Sequence, residues 1–171
     1  MMDLKSIIRD IPDFPKPGII FKDITPLLKN PLAFRETVDR LVKAAENLHI
    51  TSVAGIEARG FIFGAAAAYR LGVSFVPIRK PCKLPYETIR ETYLLEYGTD
   101  TLEMHTDAFG KGNRVLLIDD LLATGGTMQA AVRLVEKTGA KVVGVFFVVE
   151  LGFLKGREKL DGYNIQSLIA Y

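Results

Sequence analysis

Val115-Leu116-Leu117-Ile118-Asp119-Asp120-Leu121-Leu122-Ala123-Thr124-Gly125-Gly126-Thr127 is the stretch whose reading decides the fold. Its first four residues are all apolar, which suits a strand over Arg114–Ile118 covered on both faces, as in a parallel sheet. Two carboxylates follow at the strand's C-terminal end. After a short loop come Met128, Ala131, Val132 and Val135 at helical spacing, which predicts a helix over Gly126–Thr138 with Gly139 as its stop. Open α/β sheets bind ligands at the carboxyl ends of their strands. A helix N-terminus adds unpaired N–H groups and the positive end of its dipole. Gly125 and Gly126 let the backbone approach an anion, and Thr124 and Thr127 add hydroxyl donors. The loop Ala123–Thr127 therefore reads as a phosphate cradle. Asp119 and Asp120 can accept hydrogen bonds from a diol, and phosphate with diol describes a ribose 5-phosphate. Neither GxxxxGK[ST] nor GxGxxG occurs, so the cradle is not a Walker loop or a dinucleotide fingerprint. A Thr-Gly-Gly-Thr turn alone would be unremarkable. The order of strand, paired carboxylates, loop and helix carries the reading.

Working outward, the same alternation repeats. Ser52–Ile56, Val73–Ile78, Val142–Val149 and Ile165–Ile169 read as strands. Phe61–Leu71, closed by Gly72, reads as a helix, and Leu154–Leu160 as a short one. Asn30-Pro31 opens a longer helix, with Asn as N-cap and Pro in the first turn. Phe34, Val38, Leu41, Ala45 and Leu48 form its apolar face. The fold class that follows is α/β, a parallel sheet with helices on both faces. Two stretches break the alternation. Prolines 12, 15, 17 and 26 make Ile11–Asn30 an irregular arm. Arg79–Gly112, polar and carrying Thr and Tyr, reads as a flap or hairpin inserted over one end of the sheet. With 171 residues, one domain is expected, made of an arm (1–30), the sheet and the flap (79–112).

Composition narrows the function classes. The chain is 49% hydrophobic and 25% charged, ordinary globular proportions. Net charge is only +2, less than a nucleic-acid binder usually carries, so no nucleic-acid partner is expected. No apolar run approaches the ~18 residues of a membrane span, and the N-terminus lacks a basic leader before a long apolar stretch. Neither membrane nor secretion is expected. A single cysteine, Cys82, excludes an internal disulfide and a multi-cysteine metal site, and fits a reducing cytoplasm. With only His49 and His105, a histidine metal centre is improbable and a Ser-His-Asp triad has little to draw on.

Further segments share the pattern of one family. The Val115–Thr127 stretch strongly resembles the phosphoribosyl-diphosphate (PRPP) signature of the type I phosphoribosyltransferases. Pro12–Pro26 is similar to the N-terminal arm of that family's adenine branch, and Gly55-Ile56-Glu57-Ala58-Arg59-Gly60-Phe61 to its diphosphate loop. Arg79-Lys80-Pro81-Cys82-Lys83-Leu84-Pro85 and Leu95-Glu96-Tyr97-Gly98 resemble its hood. Val149-Glu150-Leu151 and Leu154-Lys155-Gly156-Arg157-Glu158 resemble its C-terminal signature. The resemblance runs from about Ile11 to Tyr171.

It implies transfer of a 5-phosphoribosyl group from PRPP to adenine, yielding AMP and diphosphate, as in purine salvage. Asp119 and Asp120 would hold the ribose hydroxyls beside a cationic sugar, and Ala123, Thr124, Gly125, Gly126 and Thr127 would fix the 5-phosphate. Arg59 would fork onto the diphosphate, after a strained Glu57-Ala58 peptide for which the resemblance allows the cis form, where many relatives carry Asp-Ser. Arg79, Lys80 and Lys83, three cations in five residues, would clamp the same group. Alone, such a run is usually a solvated loop. Glu96 is implied as the acid/base for the adenine proton, with Tyr97 closing the hood beside it and Glu103 as the competing carboxylate. Ile20, Phe21, Lys22 and Leu151 are implied as adenine contacts, with Lys22 where many relatives carry Arg. Mg2+ would ride on the PRPP diphosphate and hydroxyls, with no all-protein metal cage. A homodimer is implied as well. The alternatives are an enzyme for 6-oxopurines, a non-enzymatic PRPP-sensing regulator on the same fold, and an RNA-binding attenuator.

Overall fold

The computed structural model describes residues 2–94 and 98–171. Two units divide the chain, Met1–Arg40 and Leu41–Tyr171. In the first, strands β1 (Arg9–Pro12) and β2 (Ile20–Asp23) pair antiparallel, Arg9 opposite Asp23 and Pro12 opposite Ile20. A five-residue helix α1 (Thr25–Lys29) follows, and then α2 (Pro31–Ala45), which continues into the second unit. The arm expected to be irregular over Ile11–Asn30 thus contains a hairpin and a helix. The prolines do not prevent this because of where they fall. Pro12 ends a two-strand ladder, Pro15 and Pro17 lie in the connection, and Pro26 sits in the first turn of α1, where an N–H has no partner to lose. The connection is shaped by a cis Phe14–Pro15 bond and by Asp13, whose Oδ1 accepts the Gly18 N–H at 2.7 Å. Asp23 closes the base, accepting the Arg9 guanidinium at 2.6 Å and the Thr25 N–H at 2.9 Å. Asn30 caps α2 as read from sequence, its Oδ1 accepting the N–H groups of Leu32 and Ala33 at 3.0 and 3.2 Å.

The second unit follows in chain order as β3 (Ser52–Ile56), α3 (Gly60–Leu71), β4 (Ser74–Ile78), β5 (Thr88–Leu94), β6 (Thr99–His105), β7 (Arg114–Leu122), α4 (Gly126–Lys137), β8 (Lys141–Glu150) and β9 (Ile165–Ala170). Five strands form a parallel sheet in the order β4-β3-β7-β8-β9, which puts β7 at the centre. The α/β class is confirmed. Successive strand residues face opposite sides. Ala54, Val115, Leu117, Val145 and Phe147 share one buried cluster with Met128, Ala131 and Val135 of α4. On the other face α3 lies almost on the backbone of β3. A methyl on Gly64 would meet the Phe75 ring at 2.9 Å and the Gly55 Cα at 3.4 Å, so only glycines allow this approach.

Two further elements depart from expectation by more than one residue at an end. β7 runs four residues past Ile118, because Asp119, Leu121 and Leu122 go on pairing with Phe147, Val149 and Glu150 of β8. The segment 154–160 is two 3₁₀ turns, Gly152–Leu154 and Gly156–Leu160, joined by Lys155 in the left-handed region. The inserted stretch 79–112 holds the antiparallel pair β5–β6, with Leu94 opposite Thr99 and Thr88 opposite His105. The middle of the pair is tied to α4 by Glu91, which accepts Lys137 Nζ at 2.5 Å and Arg133 Nη1 at 3.2 Å.

Candidate active site

The end of β7 carries the carboxylates inside the strand rather than after it. Asp120 is 5% exposed, and its Oδ2 lies 2.7 Å from Arg59 Nε. The Asp120 N–H donates to Asp119 Oδ1 at 2.9 Å. Arg59 reaches this point because α3 begins directly over the strand end. A methyl on Gly60 would stand 2.8 Å from Asp119 Oδ1 and 2.9 Å from the Ile118 carbonyl oxygen. Just upstream, the Glu57–Ala58 peptide is cis, as the resemblance allowed.

Asp119, Ala123, Thr124, Gly125 and Thr127 line one hollow with Met128 and Phe147 beneath. Gly125 takes φ +80° as the chain turns into α4, which glycine adopts without strain. The loop rests backbone to backbone on the turn at Gly156. A methyl on Gly125 would meet the Gly156 oxygen at 2.4 Å, and one on Gly156 would meet the Ala123 oxygen at 2.2 Å. Leu151 lies beyond the end of β8, its N–H donating to the Leu122 carbonyl at 2.9 Å, next to the loop.

The three cations of 79–83 gather around carboxylates of the chain itself. Glu57 accepts Lys83 Nζ at 2.7 Å, the Lys80 N–H at 3.0 Å and Arg79 Nε at 3.2 Å. Burial alone would raise its pKa, but the bonds from Lys83, Lys80 and Arg79 outweigh it and hold the carboxyl at about 2. Lys80 pairs through its ammonium with Asp100. Asp100 also accepts the Tyr93 hydroxyl at 3.2 Å, and Tyr93 accepts the Thr127 hydroxyl at 3.2 Å. A chain of polar contacts thus runs from the cradle through the β5–β6 pair to Lys80.

Ile20, Phe21 and Lys22 all lie on β2 of the N-terminal hairpin. Ile20 is 55% exposed, the Phe21 ring meets Phe14 edge-on at 5.2 Å, and Lys22 Nζ is 2.7 Å from Asp10. Glu96 and Tyr97 lie outside the described residues. Sequence reasoning missed four residues that shape the site: Glu57 as counter-ion, Asp100, Tyr93 and Gly156. Three closely spaced cations signalled that buried counter-ions were needed. Gly156 stood in a quoted motif without a physical role.

The chain as a whole has counterparts among known proteins. Residues 25–167 match the phosphoribosyl transferase domain family. The adenine phosphoribosyltransferase of Solibacter usitatus is 60% identical over 171 residues, covering 100% of this chain and 99% of the relative. This chain belongs to the adenine phosphoribosyltransferase family. The crystal structure of the family member from Thermoanaerobacter pseudethanolicus superposes with a TM-score of 0.96 at 58% identity, covering 98% of each chain. The Saccharomyces cerevisiae member, crystallised with adenine and an imino-altritol bisphosphate, gives a TM-score of 0.91 at 42% identity and 96% coverage of both chains.

In this adenine phosphoribosyltransferase fold, electrostatics set a cost at the strand end. Burial, and then the Asp120 charge beside it, push the Asp119 carboxyl well above its ordinary value. Burial raises Asp120 too, with Arg59 pulling it back. A carboxyl whose folded pKa exceeds its unfolded one contributes fully below about pH 4. That contribution is lost as pH rises through the folded value. Asp119→Asn removes the loss, so at pH 7.5 the variant melts higher than the parent while binding PRPP at least about tenfold more weakly. Thermal melts between pH 4 and 8 read the first effect, and a lower melting point at pH 7.5 contradicts the account. Gly156→Ala drives a methyl into the Ala123 oxygen, an overpacking that costs about 1–3 kcal/mol. Calorimetry with ribose 5-phosphate should show at least about a tenfold loss of affinity; unchanged binding contradicts the support role of the turn.

Proposed function

We propose that this chain carries the 5-phosphoribosyl group from PRPP to adenine, releasing AMP and diphosphate, in purine salvage. The observation that carries the reading is the end of β7, where two carboxylates, an arginine and a glycine loop meet within one short stretch. The bases and products of the 6-oxopurine alternative find no comparable support, since the relatives named above are adenine enzymes.

The chemistry follows from the residues. An adenine ring nitrogen attacks C1 of the ribose while the bond from C1 to the diphosphate oxygen breaks. The electron pair leaves with diphosphate, and the nitrogen's proton passes to a base. Such a transition state is oxocarbenium-like. Asp119 and Asp120 hold the ribose hydroxyls and put negative charge beside that cation, and Ala123, Thr124, Gly125, Gly126 and Thr127 grip the 5-phosphate. Both effects are fixed before reaction, so little reorganisation is needed. Arg59, Arg79, Lys80 and Lys83 receive the departing diphosphate, exchanging their present carboxylates for it. The proposed base is Glu96, with Tyr97 excluding water, both on the family resemblance. Ile20, Phe21, Lys22 and Leu151 are the proposed adenine contacts on the same ground.

PRPP is taken as its magnesium complex, and the ion neutralises diphosphate charge while keeping several waters. Among the described residues no group of three or more His, Cys, Asp or Glu is arranged to hold a metal. None of the described helices is long and apolar enough to cross a membrane. We place the enzyme in the cytoplasm as a homodimer, with no nucleic-acid or membrane partner.

One assay plate tests the reading. The protein is mixed with PRPP and Mg2+, then offered adenine, hypoxanthine, guanine, xanthine and uracil in separate wells. AMP from adenine alone is expected. Product from a 6-oxopurine would overturn the base assignment, and PRPP binding without any product would mean a PRPP-sensing regulator.

A further inference from the structure

Glu103 entered the sequence reading as a rival acid/base. Its place in the fold gives it other work. It is 2% exposed, on β6, with its carboxylate directed at neighbours within the unit. Oε2 accepts the Cys82 N–H at 3.1 Å, and Oε1 lies 2.8 Å from Arg90 Nε. Its backbone exchanges two hydrogen bonds with Arg79: the Arg79 N–H donates at 2.9 Å and the Glu103 N–H at 2.7 Å. One residue therefore grips the 79–83 loop twice, by main chain at its first residue and by side chain at its fourth.

The loop needs such a grip. Cys82 sits at φ +63°, a conformation L residues rarely adopt. Without an acceptor for the Cys82 N–H, the chain has reason to relax, and Lys83 follows at once. Arg79 Nη1 also donates to the Lys83 carbonyl at 3.1 Å, so moving Lys83 disturbs Arg79 too. A hydrogen bond from an N–H to an ionised carboxylate is among the stronger ones. Glu57 neutralises the loop's cations, but it meets them by side chains and one N–H. Glu103 alone among the described carboxylates pairs with the backbone at both points.

We propose that Glu103 is the positioning residue of the diphosphate clamp, holding the 79–83 loop so that Arg79, Lys80 and Lys83 converge on one anion. This rests on the reading of those three cations as the diphosphate site. It predicts that loss of the carboxylate weakens the handling of PRPP and diphosphate and spares adenine.

The test compares Glu103→Ala with Glu103→Gln, alongside an Arg79→Ala/Lys83→Ala double variant. Steady-state kinetics give KM for both substrates, and calorimetry gives the diphosphate Kd. Glu103→Ala should raise the PRPP KM and the diphosphate Kd about tenfold, equivalent to about 1.4 kcal/mol, with the adenine KM unchanged. Glu103→Gln keeps an oxygen acceptor for the Cys82 N–H and should restore both to within about threefold of the parent. Where the alanine variant does not fold, Glu103→Val fits a buried strand position and carries the same expectation. A residue that only stabilises the fold would lower the yield of active enzyme and leave both KM values alone, and that result overturns the proposal. So does an equal rise in both KM values. If the double variant binds diphosphate like the parent, the clamp reading itself fails. If the double variant loses diphosphate and Glu103→Ala does not, only the positioning role fails.

Discussion

Two like charges on consecutive residues of a buried strand end are the constraint on which the rest of the site depends. Water would keep Asp119 and Asp120 ionised at little cost. At the end of β7 it is largely excluded, and the fold answers each carboxyl differently. Asp120 takes the Arg59 guanidinium at 2.7 Å, while Asp119 is pushed well up by burial and by its neighbour. In the proposed reaction a ribose diol brought to this point satisfies both oxygen sets, which gives an unfavourable arrangement a use. The opposite problem arises at 79–83, where three cations face one another. There Glu57 and Asp100 supply the missing charge. The charges of the site are thus paired by groups of the chain itself.

Close approach is the second requirement. The carboxylates meet Arg59 because Gly60 leaves no Cβ against Ile118 and Asp119. The 123–127 loop keeps its shape because Gly125 and Gly156 let two backbones touch. None of these glycines carries a functional side chain, yet both contacts decide where functional groups stand. The β5–β6 pair joins the halves, since Tyr93 and Asp100 link Thr127 to Lys80, and Glu103 on β6 holds the start of the cation loop.

Much of this was legible in the chain. The parallel sheet followed from apolar runs such as Val115–Ile118, and Asn30 and Gly72 marked helix ends that the structure bears out. The strand–loop–helix geometry at residues 119–127 was legible because strand, carboxylates, glycines and helix are contiguous in sequence. What stayed hidden depends on distant pairing. The antiparallel β1–β2 ladder was masked by prolines that fall at its end or in its connection. β7 extends beyond Ile118 only because β8 is there to pair with it. The counter-ion role of Glu57 joins residues more than twenty apart, and the grip of Glu103 on Cys82 another such pair; spacing along the chain carries no trace of either.

A crystal structure of the chain with AMP tests the central claim most directly, since AMP carries the 5-phosphate, the diol and the base together. The account predicts the phosphate against the backbone N–H groups of residues 123–127, with the ribose hydroxyls donating to Asp119 and Asp120 and Arg59 drawn off Asp120 or shared with it. A phosphate seated instead among Arg79, Lys80 and Lys83, with the ribose away from the two carboxylates, would contradict it.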